Sequence, residues 1–262
     1  MGCDSRGVGS NGTSDSVFLG KATTPENLRL YAIGDIHGCD DMLADIHERI
    51  AADLAERPVA DHRIIHIGDY VDRGPDSAGV IARLVRLQAE NPRMLFLRGN
   101  HDERLLAFLD DPSVGDMYLT DNIGGPATLR SYGVAPNRFR VFGRSFAAQS
   151  AELAERMPAE HRAFLEGLET TLRFGDFLFV HAGIRPGVPL AEQDSLDLIW
   201  IREEFLFDGR DHGFVVVHGH TIADAPEIRP NRINIDTGAV FGGPLTCLVL
   251  EGTDHRFLDE RG

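Results

Sequence analysis

Six places in the sequence combine residue types that can hold a metal ion or a phosphate: Asp35 with His37, Asp69 with Asp72 and Arg73, Asn100 with His101, and then His181, Arg202 and His220. The densest is Gly68-Asp69-Tyr70-Val71-Asp72-Arg73-Gly74, which follows the largely apolar, β-branched run Arg63 to Ile67. A strand that stops at Gly-Asp and turns through Asp-Arg-Gly sets two carboxylates and a guanidinium at the carboxyl edge of a sheet. Open α/β sheets hold their ligands at that edge. Carboxylates there can take a hard cation, and an arginine can fork onto phosphate oxygens. Asp35 and His37 lie two apart, so in extended backbone they point the same way and can share one cation. Asp69 can bridge to a second, completed by Asn100, His181 and His220. This mixed oxygen and nitrogen set suits Mn²⁺, Fe or Zn²⁺ better than Ca²⁺, and it lacks the thiolates of a structural zinc site.

The elements that must position these groups recur along the chain. Leu28 to Ile33 reads as a strand ending at Gly34-Asp35-Ile36-His37-Gly38, and Met42, Leu43, Ile46, Ile50 and Leu54 then recur at helical spacing. A second strand leads into Gly68-Asp69 and a helical pattern over Ser77 to Leu87; a third, Met94 to Leu97, ends at Arg98-Gly99-Asn100-His101-Asp102. Strand, polar turn and helix in succession predict parallel β-α-β units. The middle, Leu105 to Leu168, reads as mostly helical, with Ala147 to Leu168 one helical stretch. Strand signals return at Thr171 to Phe174, Phe177 to Val180, Phe214 to Val217, Ile233 to Ile235 and Leu245 to Leu250, with Gly175-Asp176 as a hairpin turn. A second sheet packed on the first is expected. Arg202 falls on an expected helix beginning near Leu196. His47, His66, His161 and His218 are taken as packing residues, and Tyr118 and Asn122 as candidates for the substrate cleft.

Composition narrows the function classes. The 262 residues carry a net charge of −15, with 42% hydrophobic and 26% charged, and an acidic surface repels nucleic-acid backbones and anionic membranes. A nucleic-acid phosphodiesterase is therefore excluded, and local positive charge at a phosphate must come from arginines or metal ions. Three cysteines, Cys3, Cys39 and Cys247, suit a reducing cytoplasm. No apolar run approaches a bilayer span. Residues 1–26, rich in Gly, Ser, Asn, Thr and Asp, are expected to form a disordered leader before a single domain over 27–262.

Taken together, Gly34-Asp35-Ile36-His37-Gly38, the Gly68–Gly74 heptapeptide, Gly99-Asn100-His101-Asp102, His181-Ala182-Gly183 and Gly219-His220-Thr221 resemble the phosphoprotein phosphatase family of dinuclear metallophosphoesterases. Trp200-Ile201-Arg202-Glu203 and Ile235-Asp236-Thr237-Gly238-Ala239-Val240-Phe241 resemble the bacterial and bacteriophage-lambda-type members. The resemblance implies an α/β, four-layer αββα sandwich, the calcineurin-like metallophosphoesterase fold, with two mixed sheets flanked by helices. It implies that Asp35 and His37 bind the first of two divalent metals, most expectedly Mn²⁺, that Asp69 bridges, and that Asn100, His181 and His220 bind the second. Arg73 and Arg202 would hold the phosphate, with His101, oriented by Asp72, as general acid. The expected activity is direct hydrolysis of phosphomonoesters on a phosphoprotein or phosphopeptide, at phosphoserine or phosphothreonine with phosphotyrosine as an alternative, without a phosphoenzyme. The alternative is a symmetrical bis(5'-nucleosyl)-tetraphosphatase, a sister group with the same ligands. Gly74-Pro75-Asp76-Ser77 resembles that group, whereas Asp72 and the Asp236 segment favour the protein phosphatases.

Overall fold

The computed structural model describes residues 16–137 and 145–258. In chain order the elements are β1 (Leu28–Ile33), α1 (Asp40–Glu56), β2 (Asp61–His66), α2 (Ser77–Glu90), β3 (Met94–Phe96), α3 (Asn100–Asp110), α4 (Gly115–Tyr118), α5 (Gly125–Ser131), α6 (Phe146–Arg156) and α7 (Ala159–Glu166). There follow β4 (Thr171–Phe174), β5 (Phe177–Val180), α8 (Ser195–Trp200), α9 (Glu203–Leu206), β6 (Val215–His218), β7 (Glu227–Ile228), β8 (Arg232–Asn234), β9 (Cys247–Glu251) and β10 (Asp254–Phe257). One sheet has the order β10-β9-β1-β2-β3 and the other β4-β5-β6-β8-β7. β1, β2 and β3 run parallel, as do β5, β6 and β8, while β9, β10, β4 and β7 pair antiparallel.

Strand alternation explains the four layers. Every residue of β1 is buried, yet successive side chains enter different cores. Tyr31 and Ile33 join Leu43, Ile46 and Ile50 of α1 and Val80, Ile81 and Leu84 of α2. Leu28, Leu30 and Ala32 instead meet Phe177, Phe179, Val215, Val217 and Ile233 between the sheets. Beyond the second sheet, Leu178, Val180 and Val216 pack with Leu198 and Phe205 of α8 and α9. A strand covered on both faces reads as an unbroken apolar run, which is what parallel strands show. The expected α/β sandwich of two mixed sheets flanked by helices is the observed fold.

Some elements differ from the sequence reading. The expected helix over 147–168 breaks at Met157-Pro158 into α6 and α7, because Pro158 has no N–H to continue the ladder. β7 and β10 are short, largely polar edge strands whose charges mask them in the sequence. Of the expected leader, residues 1–15 lie outside the described residues, but 16–26 pack against the body. Ala22 is fully buried in the inter-sheet core with Val17 and Leu19 against it, and the Leu19 N–H donates to the Pro230 carbonyl at 2.7 Å.

Candidate active site

The parallel strands deliver their carboxyl ends to one edge, and the turns there are unusual. Six described non-glycine residues have positive φ, and five of them are His37, Asp69, Asp72, Arg73 and His220, between +45° and +70°. The left-handed region costs an ordinary residue roughly 1–2 kcal/mol, and such conformations cluster at functional sites. The surrounding fold holds them by hydrogen bonds. The Asp102 carboxylate, fully buried at the start of α3, accepts from the backbone N–H groups of Asp69 (2.9 Å), Tyr70 (3.0 Å) and Gly99 (2.9 Å). His37 at +45° also means that Asp35 and His37 do not share a face by strand alternation. Each faces the centre from a different backbone shape.

Asp69 sits at the middle with its two oxygens turned to different imidazoles. Its Oδ2 lies 3.3 Å from His37 Nε2, and its Oδ1 lies 3.4 Å from His181 Nε2. Two groups of potential ligand atoms, one from His37, Asp69 and His101 and one from Asp69, His181 and His220, each lie within 4.8 Å of one another. Asn100 Oδ1 joins the second group, 3.0 Å from His181 Nε2 and 2.8 Å from His220 Nδ1. Backbone carbonyls orient the rings: His37 Nδ1 meets Val71 O at 2.7 Å and His181 Nδ1 meets Ile67 O at 2.9 Å. Placing the proton on Nδ1 leaves Nε2 free to ligate. Asp35 accepts the His220 N–H at 3.2 Å and borders the cluster rather than lying in either group.

Two glycines admit the carboxylates. A Cβ at Gly99 would strike Asp69 Oδ1, and one at Gly219 would strike Asp35 Oδ1.

The electrostatics fit bound cations. Burial, with the nearby charges of Asp236 and Asp69, raises the Asp35 pKa well above the ordinary carboxylate range. Burial likewise raises Asp236. Burial opposes ionisation of Asp69, but His181, His101 and His37 outweigh it and hold the carboxyl well below its usual value. Burial lowers His181, and it takes His220 down to about 2, so burial works against charge on both rings, as a metal-ligating imidazole requires. Three carboxylates are buried together here, Asp35, Asp69 and Asp236, and two of them are pushed toward the protonated form for want of nearby positive charge. Divalent ions would supply it. Divalent metals carried by mixed carboxylate, amide and imidazole donors suit this set.

The remaining expected residues surround the cluster. Arg73 Nη1 lies 2.6 Å from His37 Nε2, and Arg202 Nε donates to His220 Nε2 at 3.0 Å. The two guanidiniums thus border different imidazoles. Arg202 is not in a helix as expected: α8 ends at Trp200, and Arg202, at φ −133°, precedes α9. His101 Nδ1 meets Asp72 Oδ2 at 2.8 Å, and Asp72 Oδ1 accepts from Tyr118 Oη (2.9 Å) and Thr128 Oγ1 (2.7 Å). Tyr118 is therefore a buried support of Asp72, not a wall of the cleft, whereas Asn122 does line a cavity beside Arg73. His66 pairs with His47 (2.9 Å) and His161 with Tyr132 (2.9 Å), away from the cluster.

Sequence reading missed Asp102, Thr128 and Asp236 as parts of the site. The first two act through backbone or carboxylate contacts that only the fold creates. Asp236 did carry a signal, since it follows a strand as Asp35 does.

A profile described as calcineurin-like phosphoesterase matches residues 28–243. The chain is similar to an asymmetrical bis(5'-nucleosyl)-tetraphosphatase of Halalkalibacterium halodurans, at 29% identity over 241 residues, covering 82% of this chain and 87% of that protein. It is 34% identical over 159 residues to a symmetrical bis(5'-nucleosyl)-tetraphosphatase of Acidovorax sp., covering 61% of this chain and 45% of that one. Among solved structures, a cold-active protein tyrosine phosphatase superposes with a TM-score of 0.58 at 17% identity, covering 92% of this chain and 82% of the other. That last likeness speaks to the fold alone. Among the described residues no helix is long and apolar enough to cross a membrane.

Proposed function

The chain belongs to the calcineurin-like phosphoesterase family, and on that premise we propose that it hydrolyses a phosphoanhydride bond of a bis(5'-nucleosyl) tetraphosphate. The observation that carries this reading is the tetraphosphatase relative aligned over 82% of this chain and 87% of its own length. The phosphomonoesterase expected from the motifs becomes the second reading.

Asp35, His37 and Asp69 would hold one divalent ion, and Asp69, Asn100, His181 and His220 the other, Mn²⁺ first among candidates, with Fe and Zn²⁺ as alternatives. When bound, such a pair polarises phosphoryl oxygens and lowers the pKa of a water. Arg73 and Arg202 neutralise the non-bridging oxygens as charge shifts in the transition state. An oxygen–phosphorus bond forms from water while the P–O–P bridge breaks, leaving each fragment with its own phosphate. His101, held by Asp72, can pass a proton to the departing oxygen. A phosphate leaving group needs that proton far less than an alkoxide does.

The second reading, a phosphoprotein phosphatase, is favoured by that same proton donor. Both oxygens of Asp72 are engaged in holding and backing His101, an investment most useful for a serine or threonine alkoxide. One panel separates the two readings. Chelated protein resupplied with Mn²⁺ is assayed on diadenosine tetraphosphate, a phosphoserine peptide and a phosphotyrosine peptide. The expected result is a kcat/KM on the dinucleotide at least about tenfold above either peptide. Turnover of the peptides alone overturns the proposal in favour of the second reading.

A further inference from the structure

Arg73 belongs to two places at once. It touches the metal-ligand cluster through His37, and it also walls a cavity of about 410 Å³ lined by Asp121, Asn122, Arg130, Val240 and Phe241. That volume falls within the range of small-ligand sites. Phe241, on the short turn Ala239–Phe241, is 66% exposed, and the Arg73 guanidinium carbon lies 5.6 Å from its ring centroid. Arg130 stands exposed in the last turn of α5, with no side-chain hydrogen bond or ion pair among the described residues.

The opposite flank, beside Arg202, is built differently. Its cavity is lined by Arg185, Asp197, Trp200, Glu203 and Glu204. There Arg185 is forked onto Asp197 at 2.5 and 2.6 Å, and Glu203 and Glu204 add two further carboxylates to the lining. A polyphosphate chain leaving the metal cluster therefore meets two guanidiniums, one carboxylate and the exposed Phe241 ring on the Arg73 side, against two guanidiniums, three carboxylates and a Trp200 ring already covered on one face by Arg104 on the Arg202 side.

We propose that the Arg73 cavity is the nucleoside subsite of the substrate, an inference that rests on the dinucleoside polyphosphate reading above. Arg73 and Arg130 hold successive phosphates, and the base stacks on Phe241, as bases do on exposed aromatic rings. Asn122 offers an amide to the base edge. Asp121, the one carboxylate of the lining, can accept from ribose hydroxyls and disfavours a terminal phosphate. The cavity thus selects a nucleoside end over inorganic polyphosphate.

The test compares kcat/KM on diadenosine tetraphosphate with kcat/KM on p-nitrophenyl phosphate for the Mn²⁺-loaded full chain and for Phe241→Ala, Phe241→Leu and Arg130→Ala. Any disturbance of Arg73 acts on both substrates and cancels in the ratio. The ratio is expected to fall about tenfold in each variant, through KM for the dinucleotide, and to be restored by Phe241→Trp. Phe241→Leu keeps apolar volume while losing the ring, so it reports stacking even if Phe241→Ala loosens the turn. Dinucleotide turnover with an unmoved ratio overturns the subsite alone. Absence of dinucleotide turnover by the unaltered protein overturns the substrate reading and the subsite with it.

Discussion

Strand β1 carries buried charge near both of its ends, and the two clusters are balanced in opposite ways. At its start, Arg29 is 4% exposed and fully engaged: Nε donates to Glu251 at 2.8 Å, and Nη1 reaches Asp53 (3.2 Å), Tyr31 Oη (3.2 Å) and the Arg57 carbonyl (2.6 Å). Asp53 in turn accepts from Tyr31 Oη and Arg256, both at 2.6 Å. Burial alone would raise the Asp53 carboxyl, but those hydrogen bonds and the charges of Arg256 and Arg29 hold it below the ordinary range. Just past the other end, burial and its acidic neighbours push Asp35 the opposite way. A buried charge answered from within the chain is scaffold. A buried acidic surplus is a request for cations from outside.

The sharpest way to break this contrast is to remove the central carboxylate. Asp69→Ala is expected to lower kcat on the order of a thousandfold, since the proposed mechanism makes metal placement and transition-state charge stabilisation depend on it. Circular dichroism should still show a folded protein. Full activity in this variant would end the metal-site reading.

Next in size is the scaffold end. Asp53→Ala removes the buried carboxylate beside Arg29 and leaves the half-exposed Glu251 as its remaining counter-charge, a change that costs about 3 kcal/mol, the low end for a broken buried pair. Denaturant unfolding should register that loss while kcat per folded molecule stays within about twofold. A selective loss of activity with stability intact would reverse the roles assigned to the two ends.

A smaller effect should appear on chelation. Mn²⁺ at a hundred times its dissociation constant stabilises a folded protein by about 2.7 kcal/mol. Thermal melting should rise accordingly in the chelated wild-type chain and not in Asp69→Ala. An equal rise in both would place the ion elsewhere.

The smallest effect concerns a third group, the His47–His66 pair, in which His66 is buried and His47 half-buried. Burial, then the charge of Arg83, lowers His47 to about 4, and burial with His47 beside it lowers His66 well below its usual value. Because the unfolded chain binds protons that these folded imidazoles refuse, their stabilisation is complete above about pH 6.5 and drains away as pH falls toward 4. Melting temperature measured across that window should decline, and His47→Gln should flatten the decline.

Much of the site was legible because the chemistry sits at strand ends, where an apolar run followed by a Gly-Asp, Gly-Asn or His turn is visible in one dimension. Asp69, Asn100, His181 and His220 were found that way, and the structure gathers them. Their substrate was not legible, because the ligand motifs are shared across the family, while Arg130 and Phe241, the residues proposed to bind the nucleoside end, carry no metal-ligand chemistry that would single them out in one dimension. Asp102 shows a second limit. It is fully buried and ties three backbone N–H groups together, yet in the sequence it is one acid at the start of a helix. The alternation argument for Asp35 and His37 failed because a left-handed residue interrupts the extended chain.

Those left-handed residues bear on how such a protein ages over generations. At His37, Asp69, Asp72, Arg73 and His220, glycine would relax the backbone while silencing the chemistry, so mutational drift under pressure for robustness alone would erase catalysis at these five places first. A descendant that had lost its substrate should therefore be sought as a sturdier molecule with glycines where this one keeps its acids, imidazoles and guanidinium.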